Sequence, residues 1–122
     1  MNYTYIISPD KKTISVIAID DLEPTEVAEL ELRIRLMAMD LKYKIIFDYR
    51  LSKNKISITD AYYWVSTHFD IVDTKLKMIK SAYLVNKVDW EFYLFFETTS
   101  SNHGMQIKVF QDEDTLLSWL EI

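Results

Sequence analysis

The chain has 122 residues, with 14 Lys and Arg against 19 Asp and Glu, a net charge of −5 and no cysteine. This acidic balance, without a basic run, lacks the phosphate-neutralising surface of nucleic-acid-binding proteins, and the missing cysteine excludes disulfides and thiolate metal sites. No apolar stretch is long enough to span a membrane, and the first residues lack the pattern of a signal peptide. We therefore expect a cytoplasmic protein folded as a single domain over residues 1–122.

The chain opens with residues that favour a β-hairpin. The runs 3–7 and 13–19 are rich in β-branched and aromatic residues, and Pro9-Asp10 between them is typical of a type I turn. The second run is almost continuously apolar, so we expect its strand to be buried on both faces.

A long helix is predicted next, over residues 23–41, with Pro24 in its first turn. One apolar row at helical spacing forms the core stripe. A helix that covers a sheet needs only one such row, and a second row predicts cover by another surface. That surface is either another protein molecule or a neighbouring helix of the same chain. The second row consists of Leu32, Leu36 and Met39.

The middle of the chain predicts two buried parallel strands, over residues 43–49 and 78–86. Asp48 and Arg50 follow the buried run of the first strand, and Asn86 ends the second. Ligands of α/β proteins bind at this edge of the sheet, so the three side chains could line a strand-end pocket. The alternative is that Asp48 pairs with a neighbouring Lys or Arg.

Between these strands, Ser57 and Asp60 have the spacing of a helix cap and open a helix that is predicted to end at residue 69. Residues 70–77 are predicted to form a loop. The apolar face of the helix consists of Ile58, Ala61, Tyr62, Val65 and Phe69.

The last third predicts an aromatic helix over residues 88–100, a strand over 105–110 and a final helix capped by Asp112. Gly104 is the only glycine, and it stands where a left-handed backbone angle ends a helix without steric cost. The order β-β-α-β-α-β-α-β-α predicts an α/β fold with a mostly parallel sheet of four or five strands and about four helices. Five aromatic side chains either wall an apolar pocket or belong to the core: Trp64, Trp90, Tyr93, Phe95 and Phe96.

Several short motifs fall at the matching strands and helices of this order: Ile45-Ile46-Phe47-Asp48, Ser81-Ala82-Tyr83-Leu84-Val85, Phe96-Glu97 with Asn102-His103-Gly104, and Val109-Phe110 followed by Leu116 and Trp119-Leu120. By this order and these motifs the chain resembles the SpoIIAA-like superfamily, the fold group of STAS domains. It resembles most closely the superfamily's branch of small uncharacterised bacterial proteins. The resemblance implies a small sheet with helices packed mainly on its faces. It also implies that apolar ligands or lipids are conceivable, since some fold relatives bind them.

Anti-sigma-factor antagonists of this superfamily are regulated by phosphorylation at the start of the helix after the third strand. The corresponding positions here are Ser57 and Thr59, which are helix-capping residues first. The usual Asp-Ser-Ser/Thr-Gly-like signature, with its glycine, is not reproduced here. The resemblance therefore leaves Ser57 and Thr59 as the hydroxyls at which a phospho-switch would act.

No residues have the spacing of a metal or catalytic site. His68 and His103 are the only histidines, and neither belongs to a His-x-x-x-His pattern. We expect His68 to complement the end of its helix and His103 to lie in a loop. We expect no cofactor and no metal.

Three functions are compatible with these features. The first is a noncatalytic module that acts through protein contacts and self-associates as a homo-dimer. The second is a carrier or sensor that holds a small apolar or lipid-like molecule under the aromatic helices. The third is an enzyme, whose residues would be Asp48, Arg50 and Asn86.

Overall fold

A five-stranded sheet with the order β1-β2-β3-β4-β5 forms the centre of the protein. The structure is a computed structural model that describes residues 2–69 and 74–122, of which residues 68 and 69 are described by their backbone alone. β1 runs antiparallel to β2, and all other neighbours are parallel. The strands are β1 (Asn2–Ser8), β2 (Thr13–Leu22), β3 (Lys44–Asn54), β4 (Lys80–Leu84) and β5 (Gln106–Phe110).

Four α-helices connect and close the strands, in the order that the sequence predicts. They are α1 (Pro24–Leu41), α2 (Ile58–Trp64), α3 (Trp90–Asn102) and α4 (Glu113–Leu120). α2 continues into a π-helical segment, Val65–Phe69, and a short 3-10 turn, Leu76–Met78, precedes β4. The first part of the predicted loop, residues 70–73, lies outside the described residues. The predicted α/β fold with an opening hairpin and a mixed sheet is confirmed.

Four residues predicted to begin or end helices have these roles, although α2 ends earlier than predicted and α3 is shifted by two residues. Pro24 occupies the first turn of α1. The Ser57 hydroxyl accepts a hydrogen bond of 3.0 Å from the Asp60 amide at α2. Asp112 accepts one of 2.9 Å from the Thr115 amide at α4. Gly104 has a φ of +86° after α3, in the left-handed region that glycine adopts without strain.

The helices cover the two faces of the sheet unequally. The larger core joins α1 and α3 to one face, where Ile14, Val16 and Ala18 of β2 are fully buried. On the opposite face a smaller cluster joins α4 to β4 and β5, and includes Leu84 and Leu116. One short helix covers about half of a five-stranded sheet, so the face formed by β1, β2 and β3 has little cover on the α4 side within the described residues.

The prediction that β2 is buried on both faces is therefore wrong. Ile17 and Ile19 point away from the larger core and are 37% and 48% exposed. Their neighbours on this face are also exposed, Ile6 of β1 at 59% and Leu51 of β3 at 68%. We call these four residues the open sheet face. An apolar run in a strand does not by itself reveal whether a helix lies over each face.

The apolar face predicted for α2 is only half correct. Ala61 and Val65 are buried, whereas Ile58 and Tyr62 are each 54% exposed. α2 has seven residues, about two turns. A helix this short presents only one or two residues to the core, and the others remain in contact with solvent.

Candidate functional site: an aromatic cleft between three helices

A cleft of about 510 Å³ lies between α1, α2 and α3, above the larger-core face of the sheet. Its volume is in the range of small-molecule binding sites. Residues of β3 and β4 form its floor, and the three helices form its walls. The lining residues are Pro24, Thr25, Val27, Ala28, Glu29, Glu31, Tyr49, Ile56, Asp60, Ala61, Trp64, Tyr83, Phe92, Tyr93 and Phe96.

Two small side chains help to explain why the helices do not close over the sheet here. Ala28 of α1 and Ala61 of α2 both line the cleft. Protein interiors are otherwise packed to the density of organic crystals, so a methyl group where a larger side chain would fit leaves space. The two methyl groups therefore leave part of this space unfilled.

Aromatic rings build the walls and the floor. Trp64 of α2 faces Phe96 of α3 with 6.3 Å between ring centroids. Phe96 in turn stands edge-on to Tyr83 of β4 at 5.3 Å. Tyr93 of α3 lies 6.4 Å from Tyr49 of β3. These spacings are typical of attractive aromatic pairs, so the rings hold one another in place around the space.

A buried polar cluster stands beneath the rings. Glu31 and Arg35, one turn apart on α1, form an ion pair of 3.0 Å and are 3% and 2% exposed. The Arg35 guanidinium also donates to the Tyr83 hydroxyl at 2.6 Å. Both tyrosines of the floor donate to the Glu31 carboxylate, Tyr49 at 2.8 Å and Tyr83 through a short hydrogen bond. The four side chains tie α1 to β3 and β4.

The surroundings fix the protonation of this cluster. Burial acts to lower the pKa of Arg35, but Tyr83 and Glu31 raise it, and the net pKa lies above its usual value. Burial raises the pKa of Tyr49, Tyr83 and Tyr93 well above that of a free phenol, and the nearby Glu31 charge adds to this. At neutral pH the cluster holds a charged guanidinium and neutral phenols that donate hydrogen bonds.

The charged groups that line the cleft are all acidic. They are Glu31 on the floor and the exposed Glu29 and Asp60 near the surface. No Lys, Arg or His side chain lines the cleft within the described part of the chain. Arg35 compensates the charge of Glu31, but no cation of the lining compensates Glu29 and Asp60. These two carboxylates would repel an anionic ligand near the surface, and they would not repel a neutral or cationic one.

Tyr93 carries a hydroxyl that is available to a ligand. Its ring is 4% exposed and lines the cleft. Among the described residues, 2–69 and 74–122, no protein group makes a hydrogen bond with this hydroxyl. The hydroxyls of Tyr49 and Tyr83, in contrast, both make one. Buried phenols normally have a hydrogen-bond partner. The Tyr93 hydroxyl is thus the polar group of the cleft best placed to orient a bound molecule.

Of the aromatic residues predicted to wall a pocket, three line this cleft and two do not. Trp64, Tyr93 and Phe96 contribute to the lining. Trp90 and Phe95 are half-buried elsewhere on α3. The sequence interpretation missed the roles of Tyr83, Glu31 and Arg35. The only sequence signal for the last two was a Glu and an Arg four residues apart beside the core stripe of α1.

The structure gives each residue of the predicted strand-end pocket a hydrogen-bond partner. β3 continues to Asn54, so the predicted end of this strand at residue 49 is wrong. Asp48 instead forms a two-pronged ion pair with Arg50, at 2.8 and 3.0 Å. Asn86 donates to the Ser52 carbonyl at 3.1 Å and accepts from the Asp89 amide at 2.9 Å. None of the three lines the cleft. A pocket shared by Asp48, Arg50 and Asn86 remains a prediction.

Ser57 and Thr59 lie at the start of α2, outside the cleft lining, and both are exposed. Ser57 caps the helix through its hydroxyl. The structure thus gives Ser57 the capping role that its sequence predicts. Phosphorylation at either residue stays a prediction.

Two of the three residues of the second apolar row of α1 lie on the outer side of the helix. Leu32 and Leu36 are 43% and 44% exposed. Met39 is half-buried and packs against the larger core. Within the described residues no helix encloses the two leucines, and an interface at this row stays a prediction.

The histidines and the chain's possible metal ligands add no second site. His103 follows α3 in the turn before Gly104, as predicted. The His68 side chain lies outside the described part of the structure. Among the described residues, no three acidic or histidine side chains are grouped so that they could hold a metal ion. None of the described helices has the length and apolar character to cross a membrane.

An opening antiparallel strand pair followed by parallel β-α units, with the helices on both sheet faces, is the architecture of an α/β protein with a SpoIIAA-like fold. A similar solved structure is that of an uncharacterised protein of the DUF3478 family from Shewanella loihica PV-4, which has a SpoIIAA-like fold. The two chains share 17% sequence identity at a TM-score of 0.52, over 98% of this chain and 92% of that chain. The resemblance predicted from the sequence is confirmed for the fold. No protein-family model and no curated protein matches the chain.

Proposed function

We propose that the protein is a noncatalytic cytoplasmic module that binds a small, mainly apolar molecule in the cleft between α1, α2 and α3, as a carrier or a sensor. The observation that supports this most is the cleft itself: about 510 Å³, lined largely by aromatic and aliphatic side chains. A mainly apolar pocket with a few convergent polar groups is the usual form of a small-molecule site.

The ligand that fits this lining is neutral or cationic. Its apolar body would contact Trp64 and Phe96, and a polar group would reach the Tyr93 hydroxyl. Glu29 and Asp60 near the surface would attract a positive charge, and aromatic faces favour cations as well. Fatty acids and other anionic lipids fit poorly for the same reason.

Two fluorescent probes test both parts of the proposal. N-phenyl-1-naphthylamine is neutral, and 8-anilinonaphthalene-1-sulfonate has the same ring skeleton with a sulfonate added. We expect the neutral probe to bind with increased fluorescence and the sulfonate to bind at least about tenfold more weakly, a difference of about 1.4 kcal/mol.

Matched variants locate the binding. Ala28→Phe adds a ring inside the cleft and should weaken binding of the neutral probe at least about tenfold, a cost of about 1.4 kcal/mol. Leu32→Phe adds bulk to the exposed side of the same helix and should leave binding unchanged. Equal binding by wild type and both variants would show that the cleft is not the site. Stronger binding of the sulfonate would contradict the proposed ligand charge.

A second candidate function is a module that acts through protein contacts. It is favoured by the open sheet face, where Ile6, Ile17, Ile19 and Leu51 lack cover among the described residues. The partly exposed Leu32 and Leu36 are the other surface available for such a contact. Isolated apolar side chains are common on protein surfaces, so the four clustered residues support this function more strongly than the two leucines.

A further inference from the structure

The two edges of the sheet differ in how they are protected. At the β5 edge, α3 packs alongside the strand, and the Glu97 carboxylate accepts a hydrogen bond of 2.8 Å from the Val109 amide. This side chain occupies a backbone group that another strand would need. Lys108 adds a charge in the middle of β5. Both features are known means of keeping an edge strand from pairing.

Among the described residues, no side chain bonds to the outer backbone of the β1 edge, and the charged Arg33 of α1 contacts the Tyr3 side chain. The sequence of β1, Asn-Tyr-Thr-Tyr-Ile-Ile-Ser, contains no charge and no proline. Its pairing with β2 is regular from Asn2 to Ser8, without a bulge. Tyr5, Ile6 and Ile7 are 45%, 59% and 40% exposed. Across the described residues, no strand pairs with the outer side of β1. Such an edge is a template for another strand.

We propose that β1 pairs antiparallel with β1 of a second copy of this chain, so that two five-stranded sheets join into one. The inference specifies the partner for the second candidate function, and it does not depend on a ligand in the cleft. With the two-fold axis at Tyr5, β-branched or aromatic residues face one another in the centre of the strand, polar residues face one another at its ends, and no charge faces another charge. The facing pairs are Tyr5 with Tyr5, Thr4 with Ile6, Tyr3 with Ile7, and Asn2 with Ser8.

The charges that flank β1 favour a second copy in the antiparallel direction. The hairpin turn at one end carries Asp10, Lys11 and Lys12, and the end of β2 beside the other end of β1 carries Asp20 and Asp21. Asp21 pairs with Lys55 of the neighbouring segment at 4.0 Å, whereas Asp20 accepts from the Asn2 side-chain amide at the start of β1 and is the acid next to the edge. All five are exposed. Antiparallel pairing brings the net positive turn of one copy next to the acidic end of the other. Parallel pairing would bring like charges together.

Pairing would also make the open sheet face continuous across the two copies. Ile6 lies on that face at the edge strand, and Ile17 and Ile19 lie next to it on β2. The two-fold axis would place the Ile6 side chains of both copies near each other and reduce their exposure. The edge and the open face thus favour the same partner.

A charge-reversal pair of variants tests the register. Thr4→Lys with Ile6→Lys would place lysines opposite lysines across the axis, whereas Thr4→Lys with Ile6→Glu would place lysines opposite glutamates. Light scattering over a concentration series should give a mass of twice 14.5 kDa for wild type and for the Lys/Glu variant. The Lys/Lys variant should have the monomer mass.

A cysteine variant provides a second measurement that does not depend on charge. The natural chain has no cysteine, so Tyr5→Cys introduces a single thiol on the axis. Facing residues in antiparallel strands have Cα atoms about 4.5–5.5 Å apart, within disulfide range. Tyr5→Cys should form a disulfide-linked dimer under mild oxidation at least about tenfold faster than Val88→Cys, whose position is 89% exposed but far from the edge in sequence.

The controls separate this inference from its alternatives. Leu36→Glu should remain dimeric, because the row on α1 is not the contact. Probe binding by the Lys/Lys variant reports on the cleft independently, and far-ultraviolet circular dichroism reports on its folding. A wild type that is monomeric throughout the series would overturn the proposal. A dimer that is dissociated by Leu36→Glu but not by the Lys/Lys variant would also overturn it. Equal cross-linking rates for the two cysteine variants would overturn it as well.

Discussion

Three buried tyrosines determine much of the chemistry at the floor of the cleft. Tyr49 and Tyr83 use their hydroxyls to donate to Glu31, while the Tyr93 hydroxyl has no partner among the described protein groups. Similar rings in one layer therefore have different roles. Two fix the carboxylate of α1, and the third is free to contact a ligand.

These tyrosines predict a loss of stability at high pH. A tyrosine in the unfolded chain ionises near pH 10, whereas burial raises the folded pKa of Tyr49, Tyr83 and Tyr93 well above that value. Below about pH 10 neither state loses these protons, so their contribution is constant. Above it the unfolded state binds fewer protons than the folded state, and the free energy of unfolding falls as pH rises.

Absorbance at the phenolate band, read alongside circular dichroism, checks this expectation. Of the eight tyrosines, the three in the cleft should ionise only as the protein unfolds. Ionisation of all eight near pH 10 with native circular dichroism would contradict the burial described here.

Residues that act on their near neighbours were predictable from sequence. Pro24, Ser57, Asp112 and Gly104 have the roles predicted for them, because a cap or a helix end depends on three or four adjacent residues. The ion pair of Asp48 with Arg50 matches one of the two alternatives weighed for Asp48.

At the scale of elements, the buried Glu31–Arg35 pair joins α1 to the sheet. Glu31 contacts tyrosines of both β3 and β4, so a single side chain connects three elements. Removing its charge would leave the Arg35 guanidinium buried without its counter-ion. The loss should be much greater than that of a surface ion pair.

Glu31→Gln should therefore lower the free energy of unfolding by about 3–5 kcal/mol. Glu29→Gln is the matched control two residues away, since Glu29 is exposed and should change stability by less than about 0.5 kcal/mol. Urea denaturation of both variants measures the difference. Equal midpoints for Glu31→Gln and Glu29→Gln would refute a structural role for the buried pair.

The sequence could not reveal this pair, nor which sheet faces are covered. Glu and Arg are mostly exposed in proteins, and a spacing of four residues is also that of ordinary surface pairs. Similarly, the apolar run of β2 predicted cover on both faces, but Ile17 and Ile19 are exposed because α4 packs over β4 and β5. Burial of a side chain depends on elements that are distant in sequence.

At the scale of the whole molecule, the order of elements predicted the sheet, and the order together with the short motifs predicted the SpoIIAA-like fold. Strands that alternate with helices leave few arrangements open, since crossovers between parallel strands are right-handed. The cleft was predicted only in part. Trp64, Tyr93 and Phe96 were candidates for its wall, but the sequence does not show that Ala28 of α1 and Ala61 of α2 line the same space.

The central claim, that the cleft on the larger-core side is a ligand site, has a direct test in NMR. ¹⁵N-labelled protein is titrated with N-phenyl-1-naphthylamine, and the shifts of the backbone amides are mapped on the structure. We predict the largest shifts at Ala28, Trp64 and Phe96, with little change at Ile17 and Ile19. Shifts concentrated at Ile17 and Ile19, on the open sheet face, with none at the cleft residues would contradict the account.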